Sequence, residues 1–164
     1  MVPQELCIMA MICDPPEDGP ATTYEDVVAL VEERLDRSPR YRQCVTRVPR
    51  GLSHPVWVDV GDFDVRRHVR RLAVDASEAG PGGVSIRAFE ALCGRASVEP
   101  FDYNHPLWRI DVVENVGDGG LGLICAVHHA IADAIAALGF FAALLLPRAA
   151  RHGITQEFAA VRLR

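Results

Sequence analysis

Cys125-Ala-Val-His-His-Ala-Ile-Ala-Asp-Ala-Ile-Ala-Ala-Leu138 is the stretch in which an apolar strand pattern gives way to an apolar helix pattern. Residues 121–128 are almost entirely apolar, so both faces of that strand expect cover, as in the inner strand of a sheet. From Asp133 to residue 146 the chain is Ala, Ile, Leu, Phe and one Gly, apolar all round. Such a helix is either wrapped by protein or open to a partner surface. At the junction stand His128, His129 and, four residues on, Asp133. Moving outward, Gly117-Asp-Gly-Gly120 supplies the positive-φ residues that a hairpin turn requires. Residues 107–116, with Trp108, Ile110, Val112 and Val113, are the antiparallel partner strand.

The rest of the chain alternates in the same way. Residues 5–13 read as a buried strand, closed by Asp14-Pro-Pro-Glu-Asp-Gly-Pro20. Thr22-Thr-Tyr-Glu25 fits a capping box, and Val27, Val28, Leu30, Val31 and Leu35 then share one helical face. That helix stops at Ser38-Pro39, because the residue before a proline is pushed out of helical geometry. Residues 41–48 and 55–59 read as two short strands, and residues 78–83, rich in glycine, as an internal loop. Helical spacing resumes with Val84, Ile86, Phe89, Leu92 and Cys93 and fails at Glu99-Pro100. Residues 100–106 form a proline-bounded irregular connection. The total is about five strands and three helices.

Composition narrows the class. With 49% hydrophobic and 24% charged residues in 164, the chain supports one domain with a real core rather than disorder. A net charge of −5 provides no overall field for nucleic acid or an anionic membrane. Five scattered cysteines, Cys7, Cys13, Cys44, Cys93 and Cys125, show no metal-ligand spacing and read as buried free thiols of a reducing compartment. No basic leader precedes the first apolar run, and the longest apolar block is too short to span a bilayer. A cytoplasmic protein is the expectation, with peripheral association at a membrane or lipid droplet left open.

In an extended strand end His128 and His129 point to opposite sides, so one works at a site and the other supports it. An imidazole titrates near neutral pH and suits removal of a proton from an alcohol, amine or thiol. Asp133 is spaced to neighbour His129, and a carboxylate at a helix start is also favoured by the helix dipole without any chemistry. A zinc protease is unsupported without His-Glu-x-x-His, and a serine hydrolase without Gly-x-Ser-x-Gly.

His128-His-Ala-Ile-Ala-Asp133 resembles the HHxxxDG motif of the wax ester synthase/diacylglycerol acyltransferase family, within the CoA-dependent acyltransferase group that includes chloramphenicol acetyltransferase and condensation domains. Pro106-Leu-Trp108 resembles its PLW element, Pro55-Val-Trp57 its PxW element, and Asp62-Phe-Asp64 with His68-Val69 its FDxxxHV element. Ser38-Pro-Arg-Tyr-Arg42 resembles the segment after the family's first helix. The resemblance implies an α/β fold, a two-layer sandwich of a mixed β-sheet with flanking helices, one half of a chloramphenicol-acetyltransferase-like architecture. It implies residues 1–147 as the N-terminal acyltransferase half-domain and residues 148–164 as an arginine-containing tail that begins a linker. The implied chemistry is acyl transfer from acyl-CoA, a co-substrate with no bound cofactor and no metal, to a long-chain alcohol or a diacylglycerol. By motif position His129 is the general base, His128 supporting, and Asp133 structural and orienting. Two departures stand out: the motif's glycine is Ala134, and the family's enzymes have two similar halves. The implied partners are therefore a second acyltransferase half or a second copy, and the alternative is a catalytically silent half-domain that binds lipid, CoA or protein.

Overall fold

The computed structural model describes residues 5–51, 54–74, 79–80 and 82–146. The chain runs β1 (Leu6–Cys13), α1 (Tyr24–Arg34), β2 (Gln43–Thr46), β3 (Val56–Asp59), β4 (Val69–Arg71), β5 (Ala79–Gly80), β6 (Gly83–Val84), α2 (Ile86–Val98), β7 (Trp108–Val116), β8 (Gly120–His128) and α3 (Ala134–Leu145). The main sheet is ordered β1-β8-β7-β6-β5, with β4 also pairing β7. It is mixed: β1, β8 and β7 are antiparallel, while β4 and β6 run parallel to β7. Strands β2 and β3 form a separate antiparallel pair.

The expected mixed sheet with flanking helices is present, and helices cover both of its faces. Along β8, Leu121, Leu123, Cys125 and Val127 enter one core with Val27, Val28 and Val31 of α1 and Phe141 and Leu144 of α3. Ile124 enters the opposite core with Phe89 and Leu92 of α2. Period-two alternation sends successive side chains to opposite faces, so a strand apolar at every position serves both layers. On the α2 face Gly122 leaves the space that Phe89 fills: a Cβ there would lie 2.5 Å from the ring. The hairpin between β7 and β8 turns through Gly117 and Gly119 at φ 61° and 89°.

Several boundaries differ from the sequence reading. The capping box sits one residue later, with Thr23 as N-cap and Asp26 reaching back to its N–H at 2.8 Å. Either threonine fits the pattern, and the shorter aspartate closes the box. Helical geometry then persists through a 3-10 turn, Leu35–Arg37, before Ser38 turns extended, so the run ends where Pro39 requires. The strand read over residues 41–48 is only β2, because Tyr41 belongs to a 3-10 turn that buries its ring. The internal loop at 78–83 contains the β5–β6 ladder, and Val84 belongs to β6 because Ser85 caps α2.

Strand β1 is not the buried strand expected from its composition. It is a sheet-edge strand bonded to β8 alone among the described residues, and Ile12 is 39% exposed. The cysteines are free, but only Cys125 is buried; Cys13, at the end of that edge, is exposed. Helix α3 is wrapped on one side, through Ala137, Phe141 and Leu144, while Ile135 stays 48% exposed. Its C-terminal carbonyls are met by α1 and the turn after it: Arg34 Nη1 donates to Leu144 O at 2.8 Å and Arg37 to Ala143 O. The tail at 148–164 lies outside the described residues.

Candidate functional site

Strand β8 ends at His128, and the ladder to β1 gains one further bond beyond it, His129 N–H to Glu5 O at 2.9 Å. The chain then turns, with Ile131 N–H donating to His128 O at 2.9 Å, and enters α3 at Asp133. The two histidines part company as extended backbone demands. The His128 ring meets the Tyr103 hydroxyl at 2.9 Å and receives the Ala130 N–H on Nδ1 at 3.0 Å. The exposed His129 ring lies over β1, its Nε2 3.2 Å from Cys7 Sγ.

Asp133 is the N-cap of α3, its Oδ1 accepting from Ile135 N at 3.1 Å and Ala136 N at 2.8 Å. Helix starts leave N–H groups without intrahelical partners, and an aspartate one residue before the helix is a preferred acceptor for them. The carboxylate makes no hydrogen bond to His129; the spacing of four residues spans the turn and the cap. It lies close enough to Cys7 to act on it: burial first, then Asp133, push the Cys7 thiol up, so it stays protonated at neutral pH. Burial, followed by the neighbouring His129, pushes the His128 pKa down, which keeps that ring neutral.

Beside this corner a cleft of about 130 Å³ opens between β1 and α3, lined by Cys7, Met9, Ala134, Ala137 and Phe141 among others. Its walls are mostly apolar, and Ala134, which stands at the motif's glycine position, is one of them. Cys7 links this cleft to His129, and an imidazole beside the wall of an apolar cleft can take a proton from a hydroxyl whose hydrocarbon part lies in the cleft.

The other motif elements meet one another rather than His129. His68 is buried, stacked between Phe63 at 5.0 Å and Trp108 at 4.7 Å, with its Nδ1–H donating to Trp108 O at 2.8 Å. Burial, as the main cause, holds the His68 pKa down at about 4. Trp108 Nε1–H donates to Tyr41 O at 2.9 Å, which ties β7 to the turn before β2. Trp57 of β3 carries Arg40 over its ring at 4.2 Å. These residues build the frame on which β8 is hung.

Three features escaped the sequence reading. Tyr103 lies in the proline-bounded connection, and nothing in one sequence marks it as the partner of His128. Cys7 looked like one more apolar-run thiol, and its proximity to His129 arises only from strand register. Arg109 and Asp111 alternate with apolar residues in β7 and so imitate a solvent face, yet their side chains are 5% and 0% exposed. Arg70 Nε meets Asp111 at 2.6 Å and its Nη1 meets Glu99 at 2.6 Å, closing an ionic network under the end of α2. Among the described residues no group of three or more His, Cys, Asp or Glu could hold a metal ion. No helix among them is long and apolar enough to cross a membrane.

A mixed sheet whose inner strand delivers a His-His-x-x-x-Asp run to the N-cap of an apolar helix has the fold of the CoA-dependent acyltransferase and condensation-type domains. The wax ester synthase/diacylglycerol acyltransferase from Marinobacter aquaeolei VT8 superposes with a TM-score of 0.62 at 24% identity, over 83% of this chain and 32% of that one. SgcC5 from Streptomyces globisporus superposes with a TM-score of 0.59 at 18% identity, over 92% of this chain and 31% of that one. The chain belongs to the wax ester synthase/diacylglycerol acyltransferase catalytic domain family, whose profile matches residues 6–157. Its relatives include the probable diacylglycerol O-acyltransferases tgs3 and tgs1 of Mycobacterium tuberculosis. The first is 38% identical over 71% of this chain, the second 34% over 77%. This chain spans 41% of the tgs3 protein and 26% of tgs1.

Proposed function

We propose that this chain carries the histidine half of an acyl-CoA-dependent O-acyltransferase whose acceptor is a long-chain alcohol or a diacylglycerol. The observation that carries the reading is the exposed His129 imidazole, 3.2 Å from a cysteine that lines an apolar cleft, on the turn that closes the inner strand of a member of this family. His129 removes the proton of the acceptor hydroxyl, and the oxygen attacks the thioester carbonyl of acyl-CoA. The tetrahedral intermediate collapses to the ester, and CoA leaves as a thiolate that takes up the proton held by His129. Asp133 orients the turn by capping α3, and His128 supports it from the other side of the strand.

Residues 1–147 are the unit assigned to this role. A second acyltransferase half or a second copy would cover the edge of β1 that β8 leaves open and the side of α3 on which Ile135 is exposed. Ala134, which stands at the motif's glycine position and lines the cleft, favours a second reading, a half-domain that holds lipid or CoA without turnover. A lipid acceptor puts the reaction at a membrane or droplet surface, with the chain peripheral on its cytoplasmic side.

The test is thiol release from palmitoyl-CoA with hexadecanol or diacylglycerol, for the wild-type chain and for His129→Ala. Loss of the base lowers turnover by roughly 10²- to 10⁴-fold. Turnover unchanged in His129→Ala sinks the base assignment. Tight acyl-CoA binding without thiol release, alone or with a supplied second half, selects the silent module.

A further inference from the structure

The turn that presents His129 is anchored by a ring whose protonation the geometry dictates. Ala130 N–H points at His128 Nδ1 from 3.0 Å. A backbone amide can only donate, so Nδ1 holds a lone pair, and the neutral ring carries its one proton on Nε2. That nitrogen lies 2.9 Å from the Tyr103 hydroxyl, whose oxygen therefore accepts. The two rings meet edge to face, with centroids 5.5 Å apart at 69°. Tyr103 is itself held by a small turn in which Asp102 accepts from Asn104 N at 3.0 Å and His105 N–H donates to Asp102 O at 3.1 Å.

We propose that Tyr103 is a positioning residue for His129. Its hydroxyl holds His128 as the Nε2–H tautomer, and the His128 ring holds the Ala130 N–H, so the backbone on both sides of His129 is pinned. Glu5 O, just before β1, pins the near side, and Tyr103 pins the far side through His128. Without the hydroxyl, a half-buried Nε2–H loses its acceptor, the ring is free to turn, and the Ala130 N–H is released. The imidazole of His129 then samples directions that do not face an acceptor. That last step rests on the base assignment made above; the tautomer and the turn do not.

The test uses the ¹⁵N-labelled chain and the variants Tyr103→Phe and Tyr103→Ala. Long-range ¹H–¹⁵N spectra of the histidine rings are expected to show His128 as the Nε2–H tautomer in the wild type and as a mixture in both variants. Amide exchange at Ala130 is expected to rise about tenfold in both, with unchanged exchange in β7 and β8 as proof that the fold is intact. Where the chain turns over acyl-CoA, kcat falls about tenfold in Tyr103→Phe while KM stays within twofold, the pattern of lost alignment rather than lost binding. An Nδ1–H tautomer in the wild type overturns the proposal. So does a silent Tyr103→Phe beside a disturbed Tyr103→Ala, which would assign the anchor to ring packing. If both variants shift the tautomer and turnover does not depend on His129, the positioning stands and the base assignment falls.

Discussion

Replacing Asp133 with Ala removes the acceptor of two N–H groups at the start of α3, held at 3.1 and 2.8 Å. Loss of such a cap costs typically about 1 kcal/mol, within a range of about 0.5–2. The negative charge at the helix N-terminus contributes about 0.3–1 kcal/mol in addition. Asp133→Ala is therefore expected to cost about 1.5 kcal/mol. Asp133→Asn keeps the acceptor oxygen and loses only the charge, so about 0.5 kcal/mol. For a domain of this size 1 kcal/mol moves Tm by roughly 2–4 °C, which separates the two variants. The assay is urea denaturation of both variants and the wild type at low and high salt. The Asn variant should recover the wild-type value within about 0.3 kcal/mol once salt screens the dipole contribution. Equal losses in both variants would refute the capping account of Asp133. Wild-type stability with abolished turnover in Asp133→Asn would refute the claim that capping is its whole contribution.

Gly122→Ala forces a methyl group to within 2.5 Å of the Phe89 ring and should destabilise by about 1–3 kcal/mol, a loss that Phe89→Leu in the same chain should partly reverse in urea melts. His68 has a folded pKa near 4, below its unfolded value of about 6.5, so between these pH values the unfolded chain binds the extra proton. Its contribution, about 3 kcal/mol, is complete above pH 6.5 and is lost as pH falls toward 4, and NMR titration should show a ring that stays neutral down to about pH 5. Asp111→Ala removes the fully buried carboxylate that Arg70 meets at 2.6 Å and that lies 3.4 Å from Arg109 Nε, and should cost about 3–5 kcal/mol; a thermal shift of less than 3 °C would contradict the importance given to that network.

The strand-turn-helix course around His128 was legible because its signals are local. The glycines of the β7–β8 turn, the unbroken apolar run of β8 and the capping pattern before α1 each act within a few residues. The resemblance to the family was equally legible, since His128, His129, Asp133, Trp108 and His68 stand in one linear order. What misled was burial. Residues 5–13 are as apolar as β8, yet β1 lies at an edge, because composition records what a strand tolerates and not how many neighbours it has. Arg109 and Asp111 alternate with apolar residues as on a wet face and are dry, because Arg70 donates to Asp111 and Arg109 donates to the carbonyls of Ala96 and Glu99. Val84 fits the helical spacing of α2 but pairs with Val116, a partner 32 residues away that no local pattern records.

By itself the sequence determined the elements around the turn at residues 128–133 and the family to which the chain belongs. Those depend on backbone preferences and side-chain periodicity, which act over a few residues. Only the tertiary structure decided that Cys7 lies beside His129, that the Tyr103 hydroxyl meets His128 Nε2, that Asp133 serves the helix rather than the imidazole, and that His68 is a dry part of the frame. Each of these is a contact across chain separation or a choice among competing hydrogen-bond partners. Such choices are made by strand register and by the packing of helices on both faces of the sheet.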